Sequence, residues 1–116
     1  MTTGSRVHFR LRLTKGEDIA LGPGKVALLE AIARTGSITA AAKSLDMSYR
    51  RAWLLVDTMN RCFRTAVVEA EAGGERGGGT RLTPVGEEVV HRYRESERLA
   101  ATAAAPELRA LQRLLR

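Results

Sequence analysis

The chain has 116 residues, 44% of them hydrophobic and only 4% aromatic, which suits one compact domain with a mainly aliphatic core. Nineteen basic residues outnumber 13 acidic ones, and the net charge of +6 favours a polyanionic partner such as nucleic acid. One cysteine excludes an intramolecular disulfide, and the two histidines lack cysteine partners at zinc spacing. No apolar run reaches the ~20 residues of a membrane span, and no signal peptide begins the chain. We therefore expect a cytoplasmic protein without metal or cofactor.

The first 23 residues predict a strand that is followed by a tight turn. Apolar and polar side chains alternate from Val7 to Leu13, with the period of a half-buried strand. Residues Ile19–Leu21 could return as a short second strand before a Gly-Pro-Gly break. We assign residues 1–23 to an N-terminal strand or hairpin of the same domain.

A first helix is predicted from about Gly24 to Thr35. Leu28, Leu29 and Ile32 form its apolar stripe. Gly36 stands just beyond its end, where a glycine commonly terminates a helix.

Two further helices are predicted with a tight break between them. Ser37 is the expected N-cap of an alanine-rich helix over Ile38–Leu45. Asp46-Met47 forms the break, and Ser48 is the expected N-cap of a longer helix over Tyr49–Phe63. Apolar residues recur along one face of this longer helix, which indicates that this face is buried.

A glycine-rich hairpin and a long helix complete the chain. Residues Ala66–Ala70 and Thr80–Leu82 are short strand candidates, joined by a flexible loop over Gly73–Gly79. The loop has neither the residues nor the context of a phosphate-binding loop. A helix then begins at Thr83-Pro84, with threonine as N-cap and proline at the first helical position.

Pro106 is predicted to interrupt this last helix, which leaves Glu107–Arg116 as a short amphipathic segment. Its leucines would be exposed in a monomer, and a two-fold dimer would bury them. The predicted dimerisation residues are Val89, Tyr93, Leu108, Leu111 and Leu115.

The order of these elements is that of a winged helix-turn-helix, which is a mainly α fold with a small β component. Residues 24–83 are the expected core and residues 84–116 the expected C-terminal dimerisation helix. In such folds a short helix braces the DNA backbone and the N-terminal residues of the next helix enter the major groove.

The residue types at the start of the second of these helices favour DNA reading. Arg50 and Arg51 could each bond a guanine edge with two hydrogen bonds. Trp53 is either a core anchor or an aromatic DNA contact, whereas Asp57 and Asn60 are expected to be structural. The predicted DNA-contacting residues are Ser37, Thr39, Lys43, Ser48, Tyr49, Arg50, Arg51, Trp53, Arg76 and Arg81.

The segment Gly36–Asn60 resembles the N-terminal domain of the molybdate-responsive ModE regulators, and its most specific part is Ser-Tyr-Arg-Arg-Ala-Trp. The segment Gly77–Gly86 is similar to the wing and following helix of that family, and the helix-turn-helix also resembles the broader LysR-type class. The resemblance implies a dimeric transcription regulator on a palindromic operator. It also implies that residues Ser48–Arg51 and the wing around Arg76–Arg81 contact DNA.

Full-length ModE regulators also carry molybdate-binding domains, whereas this chain stops at Arg116, so molybdate sensing is not carried over. The expectation is a stand-alone DNA-binding domain, which could be constitutive or work with a separate molybdate-binding protein. An alternative is a winged-helix module that docks onto another protein, such as a separate sensor. No nucleophile–base pair or carboxylate dyad stands out, so an enzyme is not expected.

Overall fold

The structure, a computed structural model, describes residues 4–71 and 79–116. These residues form a mainly α-helical fold with two small antiparallel hairpins, as predicted. In chain order the elements are β1 (Leu13–Lys15), β2 (Asp18–Leu21), α1 (Pro23–Thr35), α2 (Ile38–Ser44), α3 (Tyr49–Cys62), β3 (Val68–Ala70), β4 (Thr80–Leu82) and α4 (Pro84–Arg113).

The N-terminal strand is much shorter than predicted. Only Leu13 of the predicted strand Val7–Leu13 lies in β1, which pairs with β2 around a turn at Gly16 with φ of 60°. Residues 4–12, here called the N-terminal arm, have no regular secondary structure. The strand prediction over the arm is wrong because β2 is only four residues long and reaches no further than Leu13. A strand needs a neighbour for its backbone groups, and alternation of side chains does not supply one.

Helix α1 is the centre of the core. Its predicted stripe of Leu28, Leu29 and Ile32 is completely buried. The helix ends, as predicted, at Gly36, whose φ of 72° places it in the left-handed region. Alanines of α2 and α3 are buried beside it, and their small side chains allow the three helices to approach closely.

Both serine caps of the helix-turn-helix are confirmed. The Ser37 hydroxyl accepts a hydrogen bond from the Ala40 amide, and the Ser48 hydroxyl accepts one from the Arg51 amide, both at 3.1 Å. Asp46 turns the chain between the two helices with a φ of 56°. The predicted boundaries of α2 and α3 are therefore correct to within one residue at each end.

Helix α4 starts as predicted but does not stop at Pro106. Thr83 caps it by accepting a hydrogen bond from the Gly86 amide at 3.0 Å. A side chain at Gly86 would lie 2.1 Å from the Val67 carbonyl oxygen, so only glycine fits against this backbone. The helix then runs without a break through Pro106 to Arg113. The predicted interruption is wrong because proline removes a single backbone hydrogen bond, and good helix formers such as the neighbouring alanines sustain the helix across it.

Tyr93 lies inside the molecule and not on the exposed face of α4. Its side chain is 3% exposed, and its hydroxyl donates a hydrogen bond to the Leu11 carbonyl oxygen at 2.9 Å. This corrects its assignment to an exposed dimerisation surface. Further along α4, Gln112 donates to the Ser5 hydroxyl at 2.9 Å, so the N-terminal arm follows the helix toward its end. In the part of the chain that the structure describes, no helix is long and apolar enough to cross a membrane.

Candidate nucleic-acid interface

The turn between α2 and α3 brings four predicted DNA-contacting residues together. Thr39 and Lys43 from α2 share a shallow hollow of about 450 Å³ with Ser48 and Tyr49 at the start of α3. Ser37 lies at the beginning of α2, where its hydroxyl is occupied by the cap. Both helix N-termini carry amide groups that are suited to a phosphate, although the caps already satisfy one amide in each.

The two arginines at the start of α3 do not point the same way. The buried residues Ala52, Val56 and Met59 define the inner face of the helix. At about 100° per residue, Arg50 lies opposite that face, together with Leu54. Arg51 lies about 100° away from Arg50, on one flank of the helix. Arg50 is therefore the outward arginine, whereas Arg51 faces the neighbouring N-terminal elements.

Lys25, on α1, lies within electrostatic range of Arg51 and of Arg12. The pKa of Lys25 is lowered, mainly because its ammonium group is partly buried, and nearby Arg51 and Arg12 lower it further against the opposing effects of Cys62 and Asp18. Sequence reasoning missed this cluster because Arg12, Lys25 and Arg51 belong to separate segments of the chain. The one sequence signal was that Arg12 and Lys25 each lie on the polar side of their own segment.

Three large apolar or aromatic side chains are exposed on α3. Tyr49 is 54%, Trp53 48% and Leu54 47% exposed. Trp53 therefore does not anchor the core, which removes one of the two interpretations of this residue. Side chains of this kind suit contact with a thymine methyl group or with the apolar surface of a protein.

The wing hairpin, formed by β3 and β4, is attached to α3 by Asn60. The Asn60 side-chain oxygen accepts hydrogen bonds from the Val67 amide at 2.9 Å and the Val68 amide at 3.2 Å. Its amide group donates to the Val68 carbonyl oxygen at 3.1 Å. The expected structural role of Asn60 is confirmed, and one side chain fixes where the wing begins relative to α3.

A second attachment holds the far strand of the wing. The Thr80 amide donates to the Gly36 carbonyl oxygen at 2.9 Å. A side chain at Gly79 would lie 2.8 Å from that same oxygen, so this close approach of two backbones requires glycine. The wing is thus held at both strands against the helix-turn-helix.

Two arginines near the candidate interface, Arg61 and Arg81, already form ion pairs with carboxylates of this chain. Arg81 forms an ion pair with Glu69 across the wing at 2.9 Å, so a phosphate would have to compete with this carboxylate. Arg61 donates to Asp57 at 3.0 Å, which raises the pKa of Arg61 and agrees with the structural role expected for Asp57. Arg76 lies outside the described residues. Within the described ranges, no three His, Cys, Asp or Glu side chains gather as a metal site would require.

The family model of bacterial regulatory helix-turn-helix proteins, lysR family, matches residues 24–87, from α1 to the first turn of α4. This match covers more than half of the chain. The chain belongs to this family. The predicted resemblance to LysR-type proteins is thereby confirmed, and so is the winged helix-turn-helix fold class.

Individual curated proteins are also similar to this chain in sequence. The chain is 43% identical over 95 residues to the molybdenum transport protein ModE of Azotobacter vinelandii, over 82% of this chain and 35% of the relative. It is 49% identical over 73 residues to the molybdenum-pterin-binding protein MopB of Rhodobacter capsulatus, covering 63% of this chain and 27% of the relative.

The DNA-binding transcriptional dual regulator ModE of Escherichia coli strain K12 is 35% identical over 83 residues, covering 72% of this chain and 32% of the relative. The chain spans about a third or less of the length of these relatives. It is thus similar to the DNA-binding, helix-turn-helix part of ModE regulators, as the sequence motifs predicted.

Proposed function

We propose that this chain regulates transcription by binding a specific double-stranded DNA site with α3 in the major groove. Its role is binding and not catalysis. The observation that carries the proposal is the exposed N-terminus of α3, where Arg50 points away from the core beside the hollow that holds Thr39, Lys43 and Ser48. The N-terminal end of the second helix is the part of a helix-turn-helix that reads bases.

Each group in this surface has a distinct part in binding. Arg50 would read a guanine through its O6 and N7 atoms, which distinguishes bases by about 1–3 kcal/mol. Thr39, Lys43 and the α2 N-terminus would hold phosphates, which position the protein without specifying the sequence. Tyr49 and Trp53 would lie against the backbone or a thymine methyl group.

Arg51 on the flank of α3, together with Lys25 and Arg12, would extend the phosphate contacts. Arg12 and Arg51 each lie close enough to Lys25 to contribute to the lowering of its pKa, which is caused mainly by burial. Like charges that converge repel one another, and a phosphate between them would relieve that repulsion. The N-terminal hairpin and the start of α1 would thereby take part in DNA binding.

The proposed DNA target rests on two arguments: the two-fold symmetry of a homodimer and the names of the relatives. A two-fold homodimer joined through α4 would place two α3 helices on two half-sites of a palindrome, about one helical turn apart. Relatives are named for molybdenum transport and molybdenum-pterin binding. The proposed targets are therefore control regions of molybdenum-related genes, with a separate molybdate-binding protein as a candidate partner.

The test is selection of bound fragments from a random DNA pool, followed by affinity measurements on the selected site. Arg50→Ala should weaken specific binding by about 5- to 150-fold and relax the preference at one base pair. Arg109→Ala is the matched control, because Arg109 is an exposed arginine near the far end of α4 and its loss should change little. Unchanged specific binding by Arg50→Ala would show that α3 does not read the site.

A docking module is the second candidate, and the exposed Tyr49, Trp53 and Leu54 favour it. The salt dependence of binding separates the two functions. DNA binding that neutralises several phosphates gives a steep fall of log affinity with log salt, about 0.9 for each phosphate. A docking module would show no selected DNA site, and Leu54→Asp would abolish capture of a protein partner while leaving the fold intact.

A further inference from the structure

An open groove lies between the N-terminal elements and the first half of α4. Its volume of about 500 Å³ falls within the roughly 300–1,000 Å³ of pockets that hold small molecules. Val85, Val89 and Tyr93 follow one another at helical spacing and line the groove from α4. Leu11 of the N-terminal arm and Leu13 of β1 line it from the other side. Three separate segments of the chain thus enclose a mainly apolar space.

The chain's own side chains leave this groove unfilled. Leu11 is 39% and Leu13 54% exposed, although both line the groove. Tyr93 is held in place by the hydrogen bond from its hydroxyl to the Leu11 carbonyl oxygen at 2.9 Å, so it is a fixed part of the lining. Concave apolar surface that water covers favours an apolar occupant, because burying that surface lowers the free energy.

The charges around the groove determine which occupant fits it. Glu88 is the only carboxylate among the described residues that line the groove, and it already pairs with Arg92 at 2.8 Å. Arg12 also lines the groove, and it forms no ion pair within residues 4–71 and 79–116. A guanidinium group can hold a carboxylate with two parallel hydrogen bonds. An apolar lining with one free guanidinium therefore fits a molecule that has an apolar body and a carboxylate.

Arg12 also adjoins the cations that are proposed to hold DNA phosphates. Its side chain lies against Gly22 before the start of α1, where an added side chain would be 3.6 Å from the Arg12 Cγ atom. It contributes, with Arg51, to the lowered pKa of Lys25, whereas Asp18 opposes that effect. Asp18 lies 3.8 Å from Arg61, so this carboxylate is shared with another cation. One arginine thus borders both the groove and the candidate DNA surface.

We propose that the groove binds a small carboxylate with an apolar body, and that this ligand weakens DNA binding because it competes with a phosphate for Arg12. The apolar body lies along Val85, Val89 and Leu13, and the carboxylate accepts hydrogen bonds from the Arg12 guanidinium. Only the effect on DNA rests on the proposed function, because the ligand binds without DNA. DNA must in turn weaken binding of the ligand by the same factor, since coupling between two binding sites is reciprocal.

Calorimetric titration of the full chain with decanoate tests the site without DNA. Saturable binding at millimolar concentration or below is expected, and decyltrimethylammonium, which has a tail of the same length but the opposite charge, should bind at least about tenfold more weakly. Arg12→Gln should weaken decanoate binding by about five- to tenfold, because a charge-assisted hydrogen bond is lost. Arg10→Gln is the matched control: it removes the same charge from the same arm but lies outside the lining of the groove.

A second variant closes the groove itself. Val89→Trp should abolish decanoate binding by filling the space, and circular dichroism would show that the helices are retained. Arg12→Gln changes only an exposed side chain, so it tests the site even if the indole disturbs the packing. Absence of saturable decanoate binding, or equal binding of the cationic probe, would overturn the proposal. Binding that appeared only after deletion of Glu107–Arg116 would also overturn it, because a second copy would then cover the groove.

Affinity for the selected DNA site tests the competition at Arg12. Saturating decanoate should lower the affinity of the wild type by about fivefold and reduce the slope of log affinity against log salt by about 0.9, the value for one phosphate contact. Arg12→Gln should show the same loss without decanoate and no further loss with it. Unchanged DNA affinity of the decanoate-saturated wild type would overturn the competition. If the chain selected no DNA site, the calorimetry would still decide whether the groove binds its ligand, so the two failures are distinguishable.

Discussion

Asn60 connects α3 to the wing through a single side chain. It satisfies the backbone amides of Val67, which is completely buried, and of Val68, which is 5% exposed. Buried amides without an acceptor are costly, so this residue contributes to stability as well as to the placement of the wing. A side chain that was expected from sequence only to be structural thus fixes the geometry of the candidate interface.

We expect Asn60→Ala to lower the free energy of unfolding by about 2 to 4 kcal/mol, because two buried amides lose their acceptor. Urea denaturation followed by circular dichroism would measure this. Asn60→Asp is the matched comparison, because it keeps the accepting oxygen but sets a negatively charged oxygen against the Val68 carbonyl oxygen in place of the donor. It should therefore also destabilise the fold at pH 7, and protonation of the new carboxyl group at low pH should reduce the loss. A change below about 0.5 kcal/mol for Asn60→Ala would contradict this account of the wing.

At the scale of elements, ion pairs among Glu30 of α1 and Arg94 and Glu97 of α4 link the two helices, at a contact called here the joint between α1 and α4. The Arg94 guanidinium donates to both carboxylate oxygens of Glu30, at 2.9 Å and 2.5 Å, and to Glu97 at 2.7 Å. Its hydrogen bond to Glu30 raises the pKa of Arg94 and lowers that of Glu30 from its usual value of 4.5. Beyond this joint the helix continues for 19 residues to Arg113, so a small rotation here would move its far end considerably.

The lowered pKa of Glu30 predicts acid sensitivity. A carboxyl group whose pKa is lower in the folded state stabilises the fold above its unfolded-state pKa, and this stabilisation is lost as the pH falls through the folded-state value. The contribution should be fully present at pH 7 and should decline below about pH 4.5. Because both side chains are partly exposed, we expect no more than about 1 kcal/mol.

Denaturation of the wild type and of Glu30→Gln at pH 7 and at pH 3.5 would measure this contribution. Glu30→Gln should be less stable than the wild type at pH 7, and the difference should shrink at the lower pH. Glu107→Gln is a suitable control, because this exposed carboxylate lies on the part of α4 far from the joint. If the difference in unfolding free energy between the wild type and Glu30→Gln were the same at both pH values, the charge of Glu30 would not contribute to stability.

At the scale of the whole molecule, α4 gives the described residues an elongated shape. The molecule extends 57 Å along its longest axis but only 34 Å and 23 Å along the others. The last buried residue of α4 is Tyr93, and near its far end the helix contacts the N-terminal arm through the Gln112–Ser5 hydrogen bond. Such a projecting helix is suited to joining two copies without disturbing the two DNA-reading surfaces.

Deletion of Glu107–Arg116 should strongly weaken the proposed dimer, because it removes the exposed leucines and leaves the core intact. Light scattering or sedimentation would show the change in mass. Affinity for a single half-site should be retained, whereas affinity for the full palindrome should fall at least tenfold, because two linked sites bind more tightly than one. An unchanged dimer after this deletion would show that the C-terminal segment takes no part in assembly.

The local features of the fold followed from the sequence because they depend on residues close together in the chain. Serine caps, the glycine after α1 and the apolar stripe of α1 predicted the helices to within a residue. The wing strands and the start of α4 were likewise predicted from turn residues and from Thr83-Pro84. The segments Gly36–Asn60 and Gly77–Gly86 together predicted the family, and Ser48–Trp53 was the most specific part of that resemblance.

The tertiary structure alone decided which of these elements meet and which side chains face outward. The arm residues Val7–Arg12 alternate like a strand, yet they lie against α4 because no strand is available to pair with them. Tyr93 was expected on a surface but is buried, since its hydroxyl finds an acceptor 82 residues away in sequence. Packing likewise decides that Arg50 faces away from the core whereas Arg51 lies on a flank of α3, and that Arg12 lies within electrostatic range of Lys25. Local propensity determines the elements, but burial and hydrogen bonding between distant segments determine the surface that they form.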